Sequence, residues 1–435
     1  MSDRAAELRG QIAALVREYA EVAHQRPTFV PGKTKVHYAG RVFDASEIEN
    51  LVASSLEFWL TSGPWTDRFE KTMRKFFGAS AFLLVNSGSS ANLTMLSALT
   101  SPMVGAPLKP GDEVITPAVT FPTTLTPIVQ NRLVPVFVDC ELGTYNVNPD
   151  AVEQAIGPRT RALMIPHTLG NPFDLGRLVP LAERHGLYLL EDCCDALGST
   201  WDGRLCGTFG DLASLSFYPA HHITMGEGGG VIVNRSPLKR AAESMRDWGR
   251  DCWCAPGQSD TCSKRFGWKL GDLPEGYDHK YIYSNLGYNL KATDMQAAIG
   301  VAQFEKLAHF CARRRENFAR LYRLLQPFED RLILPRALPQ ADPAWFGFPI
   351  TVRPGVSRSA LVAHLEARLI ETRMVFAGNV LRQPGFRDIE HRVVGTLANS
   401  DTVMNDTFFL GVFPGLTGPM IDYVGESVAE FFATR

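Results

Sequence analysis

Residues 187–199, LYLLEDCCDALGS, open with a short apolar run and end in acidic and small residues. The pattern predicts a buried strand that ends near Asp192 and is followed by a turn. Six further runs between residues 68 and 305 have the same form: AFLLVN, DEVITPAV, VPVFVDC, RALMIPHTL, LASLSF and GGVIVN. Helical stretches separate most of the runs. This alternation is typical of an α/β fold with a mainly parallel, seven-stranded sheet covered on both faces.

The remaining sequence predicts a second, smaller unit. A chain of 435 residues is expected to form about two domains, since a domain usually has roughly 100–200 residues. We assign residues 68–305 to the large domain. Residues 306–435 combine a helical stretch, Pro-rich connections and alternating segments, which favours a small α+β domain. Residues 1–67 predict N-terminal helices, which we assign to the small domain.

Composition and charge argue against several classes of protein. The 44 basic and 46 acidic residues nearly cancel, so bulk charge favours neither nucleic acid nor a membrane surface. The opening residues, MSDRAAELRG, are charged and lack the apolar stretch of a secretory signal. No apolar run reaches the roughly 18 residues of a membrane helix. We therefore expect a cytoplasmic enzyme, and eight cysteines are too few for a disulfide framework in a chain of this length.

Residues 216–230, SFYPAHHITMGEGGG, carry the main functional signal. They resemble the cofactor-lysine segment of the DegT/DnrJ/EryC1 sugar aminotransferases, Ser-Phe-x-x-x-Lys-x-(Ile/Val)-Thr-x-x-Glu-Gly-Gly. His221 stands where that pattern has the lysine that forms a Schiff base with pyridoxal phosphate, PLP. An imidazole cannot hold the cofactor covalently, but it can move a proton near neutral pH. The resemblance therefore implies a diffusible pyridoxamine phosphate, PMP, with His221 as catalytic base, as in the PMP-dependent sugar 3-dehydrases.

The resemblance covers nearly the whole chain and implies the fold-type I architecture of PLP enzymes such as aspartate aminotransferase. In this family the turn after the first strand binds the cofactor phosphate, which implies that role for Gly88 and Ser89. Small residues at such a turn allow backbone N–H groups to face an anion, although any tight turn uses Gly and Ser. Ser216 is the matching hydroxyl for the same phosphate.

Further cofactor contacts follow from the family's motifs. Asp192 would pair with the protonated pyridine nitrogen, and Asp195 is the less favoured carboxylate for this role. The structural alternative for Asp192 is a helix N-cap. Phe121 would stack on the cofactor ring. His167 either lines the site or is a satisfied interior histidine. Asn289 would reach the partner subunit's cofactor phosphate, which implies a homodimer, although helix capping is an alternative there too.

Four cysteines suggest a subfamily. Cys194, Cys252, Cys254 and Cys262 have the spacing Cys-x57-Cys-x-Cys-x7-Cys, which matches the 2Fe–2S site of the CDP-4-keto-6-deoxyglucose 3-dehydrases and differs from ferredoxin spacings. Zinc is a competing metal, and Cys193 is an alternative to Cys194. The cysteine loop spans residues 250–265. Three other cysteines are interpreted as ordinary buried residues: Cys140, Cys206 and Cys311.

These resemblances together imply removal of the C3 hydroxyl from a nucleotide-linked 4-keto-6-deoxyhexose, CDP- or TDP-linked, in 3,6-dideoxysugar biosynthesis for O-antigen or antibiotics. The cluster would supply electrons and would be reloaded by an NAD(P)H-dependent flavin and iron–sulfur reductase or a ferredoxin system. Arg373, Asn379 and Arg382 are small-domain candidates for contacts to the sugar nucleotide, although exposed arginines are usually only solvated.

Other functions remain open at this point. A cluster-free 3-dehydratase that regenerates PMP from glutamate fits His221, but it leaves the cysteine loop unexplained. The missing lysine argues against an ordinary sugar aminotransferase. A non-catalytic scaffold is disfavoured because Asp192 and Ser216 are retained.

Overall fold

The computed structural model describes residues 2–25 and 27–433. The α-helices are α1 (Asp3–Ala23), α2 (Ala45–Glu57), α3 (Pro64–Phe77), α4 (Gly88–Leu99), α5 (Pro122–Gln130), α6 (Pro149–Ala155), α7 (Leu175–His185), α8 (Lys239–Arg246), α9 (Asp294–Glu305), α10 (Leu307–Leu325), α11 (Arg358–Ala367), α12 (Ala398–Asp406) and α13 (Gly418–Ala433). The strands are β1 (Ala81–Val85), β2 (Glu113–Pro117), β3 (Val134–Val138), β4 (Thr160–Pro166), β5 (Tyr188–Asp192), β6 (Thr200–Trp201), β7 (Arg204–Leu205), β8 (Leu212–Ser216), β9 (Gly229–Val233), β10 (Leu332–Ile333), β11 (Ala341–Asp342), β12 (Gly347–Val352), β13 (Arg392–Val393) and β14 (Thr407–Gly411).

An eight-stranded sheet forms the centre of the large domain, in the order β1-β9-β8-β5-β4-β2-β3-β13. Strand β9 is antiparallel to both of its neighbours, and the other pairings are parallel. All seven predicted strands are present, so the prediction of a mainly parallel sheet is confirmed. The eighth strand, β13, comes from the C-terminal part of the chain. Its two residues are too few to give a strand signal in the sequence.

Apolar side chains cover both faces of the sheet. Along β1, Phe82 and Leu84 join a core cluster on one face, which includes Phe69 and Phe217. The alternate residues Leu83 and Val85 join a second cluster, on the other face. Because side chains alternate along a strand, a strand buried on both faces has a continuous apolar sequence. This explains the unbroken apolar runs.

The C-terminal unit has its own core. Strands β10, β12 and β14 form an antiparallel sheet, and side chains of α10, α11 and α13 share a buried apolar cluster with it. A short three-stranded sheet of β11, β6 and β7 lies at the junction with the large domain. The predicted small α+β unit is therefore present as a separate core.

The N-terminal residues contribute to both units. The N–H groups of Gly63 and Thr66, at the start of α3, donate to the Asp294 carboxylate of α9 at 2.9 and 2.8 Å. Phe69 of α3 is buried in the large-domain core. In contrast, Val36 pairs with the C-terminal segment and joins its core. Assignment of residues 1–67 to the small domain thus fits the segment around Val36 and does not fit α3, whose apolar face packs beneath the large sheet.

Helix α1 lies at the surface, and Ala20 is its buried residue. Ion pairs from Arg9 to Glu57 and from Arg17 to Glu49 join it to α2. Among the described helices, none combines the length and the apolar character needed to cross a membrane.

Candidate active site

A cavity of about 920 Å³ lies at the carboxyl ends of the parallel strands. The loops after β1, β2, β4, β5 and β8 line one side of it, and the small domain supplies Tyr38, Phe346, Arg373 and Phe409 on the other. Open α/β sheets usually bind ligands at this edge. Most of the predicted site residues reach the cavity: Gly88, Ser89, Phe121, His167, Asp192, Cys194, Ser216 and His221.

The backbone of the turn between β1 and α4 packs closely against neighbouring residues. Ser87 caps α4 by accepting a hydrogen bond from the Ser90 N–H at 3.0 Å, and Ser89 Oγ donates to Thr123 Oγ1 at 3.0 Å. A Cβ on Gly88 would lie 2.6 Å from the Cβ of Ser216, so only glycine fits. The structure therefore brings Gly88, Ser89 and Ser216 together at a helix N-terminus, which is an anion-binding arrangement.

Asp192 is a buried carboxylate on the floor of the cavity. Its Oδ2 accepts from Asn92 Nδ2 at 2.8 Å and from Thr124 Oγ1 at 2.7 Å. Its Oδ1 accepts from Ser214 Oγ and from the Cys194 N–H, both at 3.1 Å. These donors satisfy a carboxylate that would otherwise be costly to bury. The chain continues in turns rather than in a helix, so the helix N-cap alternative is wrong.

His221 and Asp195 face each other in the cavity. His221 Nδ1 lies 3.2 Å from Asp195 Oδ1, and the two side chains are 16% and 11% exposed. The angle is unsuitable for a hydrogen bond, so Nδ1 is buried without a hydrogen-bond partner. Among the described residues that line the cavity there is no lysine. The site thus offers an imidazole beside a carboxylate and no primary amine.

A buried arginine lies behind the His221 turn. Arg314 Nη2 donates to the His221 carbonyl at 3.1 Å and to the Ala220 carbonyl at 3.5 Å. Its Nη1 donates to the carbonyls of Trp345 and Phe346, each at 3.2 Å. Burial lowers the pKa of Arg314 to about 10. This guanidinium, which the sequence did not suggest, links the turn that carries His221 to the small domain.

His167 occupies an interior position. Its Nε2 lies 3.1 Å from Glu191 Oε2, and its Nδ1 accepts from the Phe173 N–H at 3.3 Å. The ring stacks on Phe173 with the centroids 4.3 Å apart. Because both nitrogens are engaged within the protein, the geometry favours the satisfied interior histidine over a residue that hydrogen-bonds a ligand.

Phe121 and Asn289 lie in different surroundings. Phe121 precedes α5, is half exposed and lines the cavity, with its ring edge-on to Phe376 at 6.2 Å. Asn289 is exposed and is not part of the cavity lining; its Oδ1 accepts from Lys291 Nζ at 2.9 Å. Its proposed reach to a partner subunit stays a prediction.

Of the three small-domain candidates, the structure places one at the cavity. The Arg373 guanidinium lies 4.0 Å from the centroid of the Tyr38 ring and lines the cavity. Asn379 and Arg382 instead donate to the Asp401 carboxylate, at 2.7 Å from Asn379 Nδ2 and 2.8 Å from Arg382 Nη2.

Comparison with known proteins shows the family. Residues 41–429 match the DegT/DnrJ/EryC1/StrS aminotransferase family. The chain belongs to this family. The lipopolysaccharide biosynthesis protein RfbH of Salmonella typhimurium is 52% identical over 428 residues, covering 98% of this chain and 98% of that protein. The dTDP-4-dehydro-2,6-dideoxy-D-glucose 3-dehydratase of Saccharopolyspora spinosa is 53% identical over 430 residues, covering 98% of this chain and 93% of that protein.

A solved structure of the same kind confirms the predicted aminotransferase-like fold. The GDP-4-keto-6-deoxy-D-mannose 3-dehydratase of E. coli with bound hydrated PLP has a TM-score of 0.81 and 27% identity, and the match covers 91% of this chain and 100% of that one. The DegT/DnrJ/EryC1/StrS assignment and the fold therefore agree.

Within this family fold, the four predicted cluster ligands occupy two separate places. Cys252, Cys254 and Cys262 line a second, small cavity. Cys194 lines the active-site cavity instead, with its Sγ 3.7 Å from Ser214 Oγ. Burial raises the pKa of the Cys194 thiol well above its ordinary value. The structure thus brings together three of the four predicted cluster ligands and leaves Cys194 beneath the Gly88 turn.

The other cysteines lie in apolar surroundings. Burial is confirmed for the three residues interpreted as ordinary: Cys140, Cys206 and Cys311. Cys193 is also fully buried and belongs to the large-domain core. Like Cys194, it does not line the small cavity, so the structure does not favour it over Cys194 as the fourth ligand.

Proposed function

We propose that the protein is a PMP-dependent 3-dehydrase that removes the C3 hydroxyl of a CDP- or TDP-linked 4-keto-6-deoxyhexose. The observation that carries this proposal is the cavity in which His221 and Asp195 stand together and no described lining residue is a lysine. The S. spinosa relative named as a sugar 3-dehydratase supports the reaction class. The reduction would use a 2Fe–2S cluster.

Three features of the cavity fit PMP. The Gly88 turn, where an added Cβ would meet Ser216, leaves space for a phosphate against backbone N–H groups. Asp192 offers a buried carboxylate for the pyridine nitrogen, and Phe121 offers an exposed ring face. When bound, PMP supplies an amino group for the 4-keto carbon and an aromatic ring that accepts electrons.

His221 acts as the base in this proposal. The neutral imidazole has one unprotonated nitrogen, and that nitrogen is the atom that accepts a proton. Asp195 then balances the positive charge that the imidazole gains. Arg314 fixes the His221 backbone through its carbonyl, so the ring keeps its place as the charge changes.

The overall change at C3 replaces a hydroxyl by a hydrogen. It consumes two electrons and two protons and releases water, so an external reductant is required. We propose an NAD(P)H-dependent flavin and iron–sulfur reductase or a ferredoxin system as the donor. The thiols of Cys252, Cys254 and Cys262 share a cavity and fit a 2Fe–2S cluster, which transfers single electrons when bound.

Different residues are proposed for the contacts to the substrate and to a partner subunit. Arg373 lines the cavity with a partly exposed side chain, and its guanidinium would bind the diphosphate of the nucleotide sugar. Asn289 is exposed outside the cavity, and we propose that it contacts the cofactor phosphate of a partner subunit in a homodimer.

The test is a turnover assay with PMP, a CDP- or TDP-linked 4-keto-6-deoxyglucose and a chemical reductant under anaerobic conditions. Mass spectrometry would follow replacement of the C3 hydroxyl by hydrogen. We expect His221→Asn to abolish product formation. His185→Asn changes an exposed histidine at the end of α7 and should leave activity unchanged. Turnover by His221→Asn at the wild-type rate would overturn the proposal.

A second candidate function is a cluster-free PMP-dependent 3-dehydratase that regenerates PMP from glutamate. The location of Cys194, apart from the other three cysteines, favours it. Turnover sustained by glutamate with iron-free protein and no reductant would establish this alternative. Dependence on iron and reductant, with no effect of glutamate, would exclude it.

A further inference from the structure

The active-site cavity offers little positive charge to an anionic substrate. Among the described residues that line it, Arg373 is the one lysine or arginine, and three carboxylates line the same space: Asp192, Asp195 and Glu227. The diphosphate of a nucleotide sugar is a dianion, and carboxylates in the same cavity repel it. A diphosphate site here therefore calls for a further cation beside Arg373.

Lys35 belongs to a segment that is firmly attached to the small domain. The next residue, Val36, is buried and pairs with Ile370. Its N–H donates to the Leu369 carbonyl at 2.8 Å, and its carbonyl accepts from the Glu371 N–H at 2.9 Å. These backbone bonds set the position of Lys35 next to Glu371.

The Glu371 carboxylate holds Lys35 and Arg373 at the same oxygen atom. Its Oε1 lies 2.7 Å from Lys35 Nζ and 3.9 Å from Arg373 Nη2. Its Oε2 lies 3.1 Å from His37 Nδ1 and accepts from the Tyr38 N–H at 3.3 Å. The Glu371 side chain is 12% exposed, whereas those of Lys35 and Arg373 are 48% and 45% exposed. Two accessible cations are thus held side by side on one nearly buried carboxylate.

This group of side chains carries a net positive charge. Burial alone would raise the pKa of Glu371, but hydrogen bonds from Lys35 and His37 lower the pKa below its ordinary value, so the carboxylate is ionised at neutral pH. The positive charges of Lys35 and Arg373 together exceed this single negative charge. The excess favours an anion as the ligand.

Arg373 connects these cations to the cavity. Its guanidinium lies 4.0 Å from the centroid of the Tyr38 ring, and both residues line the cavity. A diphosphate has oxygen atoms on both phosphorus atoms, so it can accept hydrogen bonds from two cations at once. A guanidinium in the cavity wall and an ammonium group next to it therefore provide donors for one diphosphate.

We propose that Lys35 binds the diphosphate of the nucleotide sugar together with Arg373, and that Glu371 positions both side chains. This inference rests on the proposed function, because the nucleotide-linked substrate is the ligand. The phosphate of PMP has a separate proposed place at the Gly88 turn, so the two anion sites can be tested independently.

The experiment measures binding without turnover. Calorimetry of full-length, PMP-loaded protein would give the affinities for CDP and TDP, and a separate titration would give the affinity for PMP. The variants are Lys35→Met, which removes the charge at similar length, Lys35→Arg, which keeps the charge, and Arg373→Met. Lys33→Met, which changes an exposed lysine two residues away, is the matched control.

We expect Lys35→Met to lower the affinity for the better-bound nucleotide about tenfold, equivalent to the loss of one hydrogen bond to a charged group. The affinity for PMP should stay the same in this variant. Lys35→Arg should bind the nucleotide within about threefold of the wild-type affinity. Because salt screens exposed charges, nucleotide binding by Lys35→Met should depend less on salt concentration than binding by the wild-type protein.

The possible failures of this inference and of the proposed function can be told apart. Wild-type affinity for CDP and TDP in Lys35→Met, with a loss in Arg373→Met, would overturn the role of Lys35 and leave the proposed function intact. An equal loss of PMP affinity in Lys35→Met, or an equal loss of nucleotide affinity in Lys33→Met, would also overturn that role. Wild-type protein that binds PMP but neither CDP nor TDP would overturn both this inference and the proposed substrate class.

Discussion

Asp195 places its Oδ1 atom 3.2 Å from Nδ1 of His221 inside the active-site cavity. A carboxylate this close to an imidazole stabilises the positive charge that forms when the ring takes a proton. Asp195 is therefore a positioning residue for the proposed base. This assigns to Asp195 a role separate from that of Asp192, whose carboxylate accepts hydrogen bonds from four neighbouring donors and is the proposed partner of the pyridine nitrogen.

Replacing Asp195 should slow the reaction without weakening substrate binding. In Asp195→Asn the ring loses its negative neighbour, and we expect kcat to fall by about 100-fold with KM near the wild-type value. Steady-state kinetics of C3 deoxygenation would measure both. Asp202→Asn changes an exposed aspartate in a turn and serves as the control. An effect on KM alone would contradict the positioning role.

Restoring a lysine at position 221 should change the chemistry of the cavity. In His221→Lys a primary amine would enter a site that otherwise has none among its described lining residues. We expect loss of C3 deoxygenation and a covalent adduct with added PLP, trapped by borohydride and detected by intact-protein mass spectrometry. His185→Lys, at an exposed position, controls for nonspecific adducts. Unchanged dehydration in His221→Lys would remove His221 from the proposed mechanism.

The Gly88 turn should tolerate no side chain. In Gly88→Ala the new Cβ would lie 2.6 Å from Ser216 Cβ and 2.9 Å from Cys194 Sγ, so the turn must shift. We expect PMP affinity to fall at least about tenfold, equivalent to the loss of one good hydrogen bond to the phosphate. Gly105→Ala is the matched control, because nothing lies within 4 Å of its added Cβ. Equal PMP affinity in both variants, measured by calorimetry, would exclude this turn as the phosphate site.

The site residues that lie at the ends of strands could be predicted from the sequence. Asp192, Ser216 and Gly88 each lie at the end of a long apolar run, and the carboxyl ends of parallel strands meet at one edge. Their convergence on one cavity follows from topology, and the family motifs supplied their roles. Family motifs added His221 and Phe121, whose local sequence is ambiguous without them.

The residues that the sequence missed lie where topology gives no guide. Arg314 lies in helix α10 and, although arginines are usually exposed, it is buried at the domain junction. The sequence indicates Asp195 only as the less favoured carboxylate for the pyridine nitrogen, and its place beside His221 was missed because it depends on the turn after Asp192. Long-range packing decides each of these positions.

Arg314 holds the turn that carries His221 from behind. Its guanidinium donates to the backbone carbonyls of His221, Trp345 and Phe346. A lysine is a point donor and cannot reach the same carbonyls in a fixed plane. Each buried carbonyl left without a donor costs about 1–3 kcal/mol, so Arg314→Lys should lower the free energy of unfolding by about 3 kcal/mol.

Arg315→Lys is the matched control for this variant. Arg315 is the next residue, is about one-third exposed and pairs with Asp342 at 2.8 Å, so its replacement should cost less than about 1 kcal/mol. Urea unfolding would measure stability. The value of kcat, measured under conditions well below the unfolding midpoint, would report whether His221 keeps its position. If Arg314→Lys loses stability but keeps full kcat, the guanidinium is structural only. A parallel loss of kcat at unchanged KM, absent in Arg315→Lys, would show that Arg314 sets the position of the base.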